Sequence, residues 1–545
     1  MHELGGRMKA SKCFDLLVIG GGITGCGVAL DAAARGLSVA LVEQSAFGSG
    51  TSSRSTKLIH GGLRYLAQGD VKLVMEVGRE RAILHRNAPH LVLPEKMLLP
   101  IVRGGSFKRW SAYIGLAVYD RIARVISSER KTYLSKRQAC AHEPLLPPAI
   151  TKGAFRYAEY RTDDARLTIA VAKSAEKLGA ELANYTAAES LLYDENDRIC
   201  GARCSNVLSG KALEIRARTV VNAAGPWVDQ VRQKDGKVSG KRLHHTKGVH
   251  LVVDRTAFPV REALYFDVFD GRMLFAIPRG HSTYFGTTDT NFLGDPSDVQ
   301  VSADDVDYLL AAVRRMFPQV QLQRKDVRSS WAGIRPLIHE PGKGPSEISR
   351  KDEIFVSDRG LISIAGGKLT GFRKMAERTT DRVMQCLHEL DGRPFNACTT
   401  AGITLDGGDF APGSNRPASP QQLAGQLEKK GLSAFHAKQL VHNFGTHAEQ
   451  IAQNARDTRD TIAPLTALLL SELRYALVHE SLQRLEDFYV LHTGRLYFEI
   501  DSILPSLEQA AAVMAEQLNW DAQRTENEIQ AVRTRVAAAT TFETT

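Results

Sequence analysis

The chain has 545 residues, a length that predicts two or three domains. Its hydrophobic fraction, 43%, is ordinary for a globular protein. No apolar run approaches the roughly 18 residues of a membrane-spanning helix, and the N-terminal stretch lacks the apolar core of a signal peptide. Lysine and arginine number 70 against 61 acidic residues, and this net charge of +9 suits nucleic acid, an anionic membrane surface or anionic substrates.

The seven cysteines are scattered along the chain. Cys200 and Cys204 lie close together, but they lack CxxC spacing and have no histidine or cysteine partners nearby in the sequence. We therefore expect free thiols in a reducing cytosol and no metal site.

Residues 14–43 have the pattern of a strand, a glycine turn, a helix and a second strand. Gly20, Gly22 and Gly25 have the spacing of the dinucleotide fingerprint: the first allows a tight turn, the second lets the backbone approach a pyrophosphate, and the third lets the helix pack on the strand. Glu43 ends the second strand and is placed to bind a ribose 2′-hydroxyl, whereas a 2′-phosphate would favour arginine. The pattern predicts an adenine dinucleotide without a 2′-phosphate, either FAD or NAD.

Three later stretches carry polar groups suited to a cofactor or a substrate. Residues 48–57 form a hydroxyl-rich loop, and residues 60–66 read HGGLRYL, a string too specific for a solvated loop. A strand over 361–364 runs into a second glycine turn, GGKLT at 366–370, and a helix follows to about residue 390. This turn would present another helix N-terminus to a bound anion.

Residues 107–126 predict a basic amphipathic helix. Trp110 and Tyr113 lie on its apolar side, while its lysine and arginine residues lie mainly off that side. The pattern fits either an anchor on a membrane surface or a helix packed on a core, and it does not choose between them.

The remaining chain predicts strands and then helices. Thr162 to Asp164 can cap a helix running to about residue 178, several strands follow over 243–290, and a helix is predicted over 303–316. After a linker rich in Gly, Pro and Ser, helices are predicted near residues 420–430, 434–443, 446–456, 463–479, 505–517 and 521–538.

Several of these strings occur together, and in this order, in one known family. The glycine-turn segment, HGGLRYL, GPW, GTTD, GIRP and GGKLT resemble the aerobic, quinone-linked FAD-dependent glycerol-3-phosphate dehydrogenases over residues 14 to about 380. In the helical tail, HTGRLYFEID is similar to the C-terminal domain of that family. HGGLRYL and GGKLT together are much more specific than the nucleotide fingerprint, so the resemblance favours FAD.

The resemblance implies an α/β fold that combines an FAD-binding Rossmann-like domain, a β-rich substrate domain and a C-terminal helical domain. The FAD-binding domain is expected to be discontinuous, over residues 14–100, 155–235 and 355–395. The substrate-binding domain is expected over residues 100–155 and 240–352, with 107–126 as a candidate membrane-docking helix. The helical domain is expected over residues 412–545.

By the same resemblance, sn-glycerol 3-phosphate is oxidised at C2 to dihydroxyacetone phosphate, a hydride passes to N5 of FAD, and electrons then pass to a membrane quinone. A phosphate dianion is bound well by arginine forks and a lysine charge. The positions that match substrate-binding residues are Arg64, Tyr65, His250, Arg335, Arg350 and Lys368. The expected cofactor-binding positions are Gly20, Gly22, Gly25, Glu43, Thr51, Ser52, Ser53, Lys57, Leu58, Gly225, Gly366, Gly367 and Thr370.

The base that takes the C2 hydroxyl proton is expected to be a histidine, because the pKa of arginine is too high for this role. His60 and His250 are the candidates, and His60 is favoured because it lies in the HGGLRYL string. Arg335 is then expected to polarise the developing charge on oxygen. Arg54 departs from the family pattern, since a small residue is expected at its place in SSRST.

We expect a protein on the inner face of the cytoplasmic membrane, with an anionic lipid surface and a quinone as partners and no nucleic acid. A homodimer is compatible with the sequence. The alternatives are a glycerol-3-phosphate oxidase that uses O2, another FAD-dependent amine or hydroxy-acid oxidoreductase, an RNA-modifying flavoprotein or a non-catalytic redox sensor. Dispersed basic residues argue against RNA binding. The set Arg64, Arg335 and Lys368 argues against a sensor, and the lack of an extra segment typical of the oxidases favours the dehydrogenase.

Overall fold

The computed structural model describes residues 12–60, 71–106, 131–238, 240–339, 352–411, 417–457 and 463–542. The strands are β1 (Cys13–Ile19), β2 (Val39–Val42), β3 (Leu58–Ile59), β4 (Leu93–Val102), β5 (Thr132–Ser135), β6 (Thr151–Arg161), β7 (Glu181–Ala183), β8 (Thr186–Tyr193), β9 (Ile199–Asn206), β10 (Ala212–Asn222), β11 (Leu243–Asp254), β12 (Ala263–Asp267), β13 (Met273–Arg279), β14 (Ser282–Gly286), β15 (Thr290–Asn291), β16 (Val327–Ile338), β17 (Asp352–Val356) and β18 (Leu361–Gly366).

The helices that were predicted begin and end close to the predicted residues, and further short helices are present. They are α1 (Ile23–Ala34), α2 (Val71–Asn87), α3 (Lys136–His142), α4 (Asp164–Lys177), α5 (Val228–Lys234), α6 (Ala303–Met316), α7 (Phe372–Asp391), α8 (Pro420–Lys429), α9 (Ala434–Phe444), α10 (Ala448–Asp457), α11 (Pro464–His479), α12 (Leu485–Asp487), α13 (Arg495–Phe498), α14 (Ile503–Leu518) and α15 (Ala522–Thr540). The predicted cap is also confirmed, since the Asp163 side chain accepts a hydrogen bond from the Arg166 amide at the start of α4.

The first sheet contains the predicted dinucleotide-binding unit. Its strands run in the order β17-β18-β10-β1-β2-β7, and β18, β10, β1, β2 and β7 are parallel. Outside this order, β9 also pairs with β10, and β8 pairs with β9. Along β1, Leu16 and Val18 join the core formed with α1, α4 and α7, whereas Leu17 and Ile19 join the core on the opposite face. A parallel sheet covered on both faces explains why β1 is apolar at nearly every position.

The second sheet separates two further cores. Its strands run in the order β15-β11-β14-β13-β12-β4-β6-β3, with β16 paired to β11 and β5 to β6. Leu251 and Val253 of β11 face the core that contains α6, while Val252 faces the core that contains the last helices of the chain. The side chains alternate because successive residues of a strand point to opposite faces.

The C-terminal helices pack in two groups. Helices α8, α9 and α10 form a core with one another and with the start of α11. Helices α11 to α15 cover the second sheet, where Leu473, Phe488, Leu507 and Ile529 share a core with Trp331 of β16. The short helices and the π-helical turn between residues 485 and 498 were not predicted. Among the described helices, none combines the length and the apolar character needed to cross a bilayer.

Buried ion pairs join the C-terminal helices to α4. Both terminal nitrogens of Arg166 donate to the Glu480 carboxylate, at 2.6 and 2.8 Å, and the Arg166 Nε donates to the Asn443 carbonyl. His492 Nδ1 lies 2.8 Å from the same carboxylate. Burial opposes ionisation of Glu480, but the neighbouring Arg166 guanidinium outweighs it and holds the pKa of that carboxyl well below its usual range.

Removing the charge of Glu480 should destabilise the protein strongly. Glu480→Gln leaves the Arg166 guanidinium buried without its full counter-charge, so we expect the free energy of unfolding to fall by about 3–5 kcal/mol. The matched control is Glu214→Gln, which breaks an exposed pair with Arg203 and should cost at most about 1 kcal/mol. Denaturant unfolding followed by circular dichroism measures both variants, and equal small losses would contradict a stabilising role for the buried pair.

Candidate functional site

Two cavities meet at the hydroxyl-rich loop that follows β2. The first, which we call the turn cavity, has a volume of about 670 Å³ and is lined by the glycine turn after β1 and the end of β2. The second, which we call the sheet cavity, has a volume of about 580 Å³ and is lined by β11, β13 and β16. The residues that line both cavities are Thr51, Arg54, Ser55, Pro336, Gly367, Lys368 and Leu369.

The glycine turn has the backbone geometry that its sequence predicts. Gly20 has a φ of 110°, and a Cβ there would lie 2.6 Å from the Ala223 carbonyl oxygen. A Cβ on Gly25 would lie 1.9 Å from the Gly20 carbonyl oxygen, so only glycine lets α1 approach β1 this closely. Gly22 caps α1 without a side chain, and the helix N-terminus therefore presents its amides and its positive dipole end at the cavity.

Glu43 lies in the wall of the turn cavity and is held by backbone amides. Its Oε2 accepts a hydrogen bond of 2.6 Å from the Gly21 amide, and its Oε1 accepts one of 2.9 Å from the Ser45 amide. Burial raises the pKa of Glu43, although these hydrogen bonds act in the opposite direction. Each carboxylate oxygen can accept a further bond, so the fixed group remains able to bind a hydroxyl.

The hydroxyl-rich loop uses its side chains to hold the backbone around the cavities. Thr51 Oγ1 donates to the Ile334 carbonyl at 2.6 Å, and Ser52 Oγ accepts from the Ile23 amide at 2.9 Å. Ser55 donates both its amide and its hydroxyl to Asp164. The loop is therefore tied to β16, to α1 and to α4.

Lys57 is not among the residues that line the two cavities. Its buried ammonium group donates to Asp164 Oδ1 at 2.5 Å and to the Ser53 carbonyl at 3.1 Å. Burial opposes the charged form, but the nearby Asp164 raises the pKa of Lys57 above its usual value. The ion pair gives the Lys57 side chain a structural role, and its cofactor contact stays a prediction. Ser53 is likewise buried, with its hydroxyl bonded to the carbonyls of its own turn.

The second glycine turn lies in the wall that both cavities share. Gly366 and Gly367 have φ angles of 75° and 81°, and α7 begins after one turn of 3₁₀ helix. Thr370 is buried and donates to the His60 carbonyl at 3.4 Å. The turn thus positions Lys368 between the cavities and fixes the end of β3.

Arg335 projects from β16 into the sheet cavity. One terminal nitrogen donates to Thr287 Oγ1 at 2.9 Å, and the other donates to the Thr288 carbonyl and to Asp289 Oδ1, both at 3.1 Å. On the neighbouring β11, a Cβ at Gly248 would lie 2.3 Å from this guanidinium. The glycine therefore makes room for Arg335, and three partners fix the orientation of its fork.

The two candidate histidines lie in different environments. His60 is half-buried in the wall of the sheet cavity, with its ring 5.7 Å from that of Phe275. His250 is fully buried, stacks on Trp331 at 4.8 Å, and has its Nε2 3.0 Å from Thr56 Oγ1. Burial, followed by the positive charge of Arg335, lowers the pKa of His250 well below its usual value, so this ring stays neutral.

The described cavities bring together most of the predicted site residues. Those lining the turn cavity are Gly20, Gly22, Glu43, Thr51, Ser52, Gly225, Gly366, Gly367 and Lys368. Those lining the sheet cavity are Leu58, His60, His250, Arg335, Lys368 and Thr370, together with the shared Thr51 and Gly367. Three predicted substrate-binding residues, Arg64, Tyr65 and Arg350, and the stretch 107–126 predicted to be helical lie outside the described residues. In the ranges that the structure covers, no group of three or more His, Cys, Asp or Glu side chains could hold a metal ion.

Comparisons with known proteins place the chain among FAD-dependent oxidoreductases. Residues 15–373 match the model of the FAD dependent oxidoreductase family, and residues 398–525 match that of the C-terminal domain of alpha-glycerophosphate oxidase. The chain is 47% identical over 514 residues to the aerobic glycerol-3-phosphate dehydrogenase of Bacillus subtilis, covering 94% of this chain and 92% of the relative. It is 46% identical to the enzyme of the same name from Staphylococcus saprophyticus, covering 93% and 91%.

The chain belongs to the aerobic glycerol-3-phosphate dehydrogenase family. A solved glycerol-3-phosphate dehydrogenase from Bacillus halodurans, complexed with FAD, has a similar structure, with a TM-score of 0.81 and 41% identity over 98% of this chain and 97% of that one. The alpha-glycerophosphate oxidase of Mycoplasma pneumoniae shares the fold at a TM-score of 0.56 and 17% identity.

As in that family, the cofactor is FAD, and the residues of the turn cavity fit it. The side-chain-free cradle at Gly20 and Gly22 leaves space for a pyrophosphate at the N-terminus of α1. Glu43 would hold the ribose, and the shared wall formed by Gly367 and Lys368 would hold the flavin end next to the sheet cavity.

Sequence reasoning missed several residues that line these cavities. Arg54 was noted only as a departure from the family pattern, yet it lines both cavities, and a cationic side chain inside a predicted cofactor loop was the available signal. Thr287 and Asp289, which orient Arg335, follow β14 within the string GTTD. The residues that reach the turn cavity from the C-terminal helices carry no local sequence signal.

Proposed function

We propose that this protein oxidises sn-glycerol 3-phosphate at C2 to dihydroxyacetone phosphate and passes the electrons to a membrane quinone. The observation that carries the proposal is the oriented Arg335 fork in the sheet cavity, which Lys368 of the wall shared with the turn cavity also lines. An anionic substrate held there lies beside the flavin end of the cofactor. The names of the similar Bacillus and Staphylococcus proteins support the same substrate.

Arg335 and Lys368 are the cationic groups that we assign to the substrate. A guanidinium fork binds phosphate oxygens with directed hydrogen bonds, and an ammonium group adds a point charge. The Asp289 carboxylate, the Thr287 hydroxyl and the Thr288 carbonyl fix the guanidinium fork of Arg335. Little side-chain entropy therefore remains to be lost when a substrate binds. The same positive charge would stabilise negative charge that develops on the C2 oxygen. Arg64, Tyr65 and Arg350 keep their proposed substrate-binding roles from the sequence.

His60 is the base that we propose for the C2 hydroxyl. Its half-buried ring faces the sheet cavity, whereas the buried ring of His250 already contacts the Thr56 hydroxyl. The lowered pKa also makes His250 a weaker proton acceptor. We therefore propose that His250 serves as a neutral hydrogen-bonding residue that helps to position the substrate.

The residues of the turn cavity would hold FAD, which would supply the acceptor for the C2 hydride and the route of the electrons to a second acceptor. We propose a quinone as that acceptor, since the similar curated proteins are named dehydrogenases. A quinone stays in the bilayer, so we expect the protein to work on the inner surface of the cytoplasmic membrane. The second candidate is an oxidase that uses O2, because the family matched by residues 398–525 is named after alpha-glycerophosphate oxidase.

The function is tested directly with the purified, FAD-loaded protein. We expect sn-glycerol 3-phosphate to reduce an artificial dye in the presence of the enzyme, and glycerol to give no reduction, because glycerol lacks the phosphate that Arg335 would bind. Under anaerobic conditions a soluble quinone analogue should support turnover. Equal rates with glycerol would refute the substrate, and stoichiometric hydrogen peroxide in air would favour the oxidase.

Loss of the fork should weaken transition-state binding. For Arg335→Ala we expect kcat/KM for sn-glycerol 3-phosphate to fall by the equivalent of about 2–5 kcal/mol. Arg335→Lys should recover only part of the loss, since an ammonium group lacks the fork. Arg328→Ala is the control, because Arg328 lies on the same strand but pairs with Asp501 at the surface. Steady-state kinetics with normal values for Arg335→Ala would contradict the assignment.

Loss of the base should change the pH profile. His60→Asn should lower kcat about 10²–10⁴-fold and remove the acidic limb of the pH–rate profile, since that limb reports protonation of the base. His250→Asn should raise KM but keep the limb. If the limb persists in the His60 variant and disappears in the His250 variant, the two roles are reversed.

A further inference from the structure

One wall of the turn cavity comes from the far end of the chain. Most of the C-terminal residues in this wall come from one short segment, residues 484–491, and one further residue comes from α15. They are Arg484, Glu486, Asp487, Val490, Leu491 and Arg535. They reach the same cavity as the glycine turn, although more than four hundred residues separate them in the sequence.

The segment is docked on the loop that carries Glu43. Leu491 packs in a small apolar cluster with Ala46 and Tyr185. The Tyr185 amide donates to the Ser45 carbonyl at 3.0 Å, so this cluster directly follows the end of β2. The Tyr185 hydroxyl donates to the Asp487 carboxyl group, and both side chains are buried in the cavity wall.

A second set of contacts holds the segment rigid from behind. The Leu485 amide donates to Glu528 Oε2 at 2.9 Å, and Arg484 bridges Glu486 and Glu528. Glu528 is itself buried on α15. The position of Asp487 is therefore fixed without any ligand, which lowers the entropic cost of binding one.

We propose that Asp487, held by Tyr185, is a binding residue for the adenosine part of FAD, so that the C-terminal domain completes the cofactor site. The adenosine end is chosen because Asp487 and Tyr185 line the turn cavity beside Glu43 but are absent from the wall shared with the sheet cavity, where the flavin must meet the substrate. This inference rests on FAD binding and is independent of the substrate proposed above.

The carboxyl group of Asp487 has the capacity for this contact. Its Oδ2 accepts from Tyr185, and its Oδ1 has no hydrogen-bond partner among the residues that the structure describes. Burial raises the pKa of Asp487 to about 7, against the opposing effect of the Tyr185 hydrogen bond. Near neutral pH the group is therefore partly protonated and can donate as well as accept, which matches the mixed donors and acceptors of an adenosine.

The test compares cofactor affinity with affinity for half of the cofactor. After removal of FAD, the dissociation constants of FAD and of adenosine diphosphate, which competes for the same cavity, are measured by titration of the full-length protein. Asp487→Leu should weaken both about tenfold, the worth of one hydrogen bond with its desolvated partner. Tyr185→Phe removes the hydroxyl that holds the Asp487 carboxyl group, so it should also weaken the binding of both FAD and adenosine diphosphate.

Asp501→Leu is the control, because Asp501 is an exposed carboxylate of the same domain and pairs with Arg328 at the surface. It should leave both constants unchanged. The thermal midpoint of each FAD-free variant is measured in parallel, and Tyr185→Phe decides if Asp487→Leu does not fold. The proposal is overturned if FAD affinity is unchanged, if FAD affinity falls while that of adenosine diphosphate does not, or if adenosine diphosphate fails to compete in the unmodified protein.

Discussion

The arrangement of the two cavities depends on one buried ion pair. Asp164, the first residue of α4, binds the Lys57 ammonium with one oxygen and the amide and hydroxyl of Ser55 with the other. The loop held in this way forms part of the wall that the turn cavity and the sheet cavity share. Asp163, the residue before Asp164, pairs with Arg279 of β13. The two neighbouring aspartates therefore connect α4 to the loop and to the second sheet. A buried charge that loses its partner destabilises the protein strongly. A single substitution in these ion pairs is therefore expected to destabilise the fold rather than to change the spacing of the two cavities.

Local sequence patterns predicted the parts of the site that form locally. The glycine turn, Glu43 at the end of β2 and the GGKLT turn each combine a backbone requirement with the element that follows, and each lies in a cavity wall. The six predicted C-terminal helices were also predictable from the residues, because apolar spacing reports which face is buried, whereas the fold class came from the resemblance to a known family. The ion pair of Lys57 with Asp164 was not predictable, because Asp164 is 107 residues away and nothing in the hydroxyl-rich loop reveals that pairing. The contribution of Asp487 to the cavity wall was invisible for the same reason.

The two candidate histidines differ in their burial. His250 lies against Trp331 and near the positive charges of Arg335 and Lys57, and these surroundings favour the neutral ring. His60 lies at the end of β3, where the cavity reaches its ring and Thr370 holds its carbonyl. The sequence offers both residues as candidates, and the different roles that we propose for them rest on the packing around each ring.

The shared core between the second sheet and the last helices has a consequence for synthesis. Met97, Leu99 and Ile101 of β4 are covered by side chains that extend to Ala539 on α15, so the apolar face of this sheet stays uncovered until nearly the whole chain has left the ribosome. At the usual 5–20 residues per second, that wait lasts roughly 20 to 90 s. During this time the exposed apolar face of the nascent chain can aggregate with other chains. We therefore expect chaperones that shield exposed apolar strands to determine how much of the protein reaches the folded state.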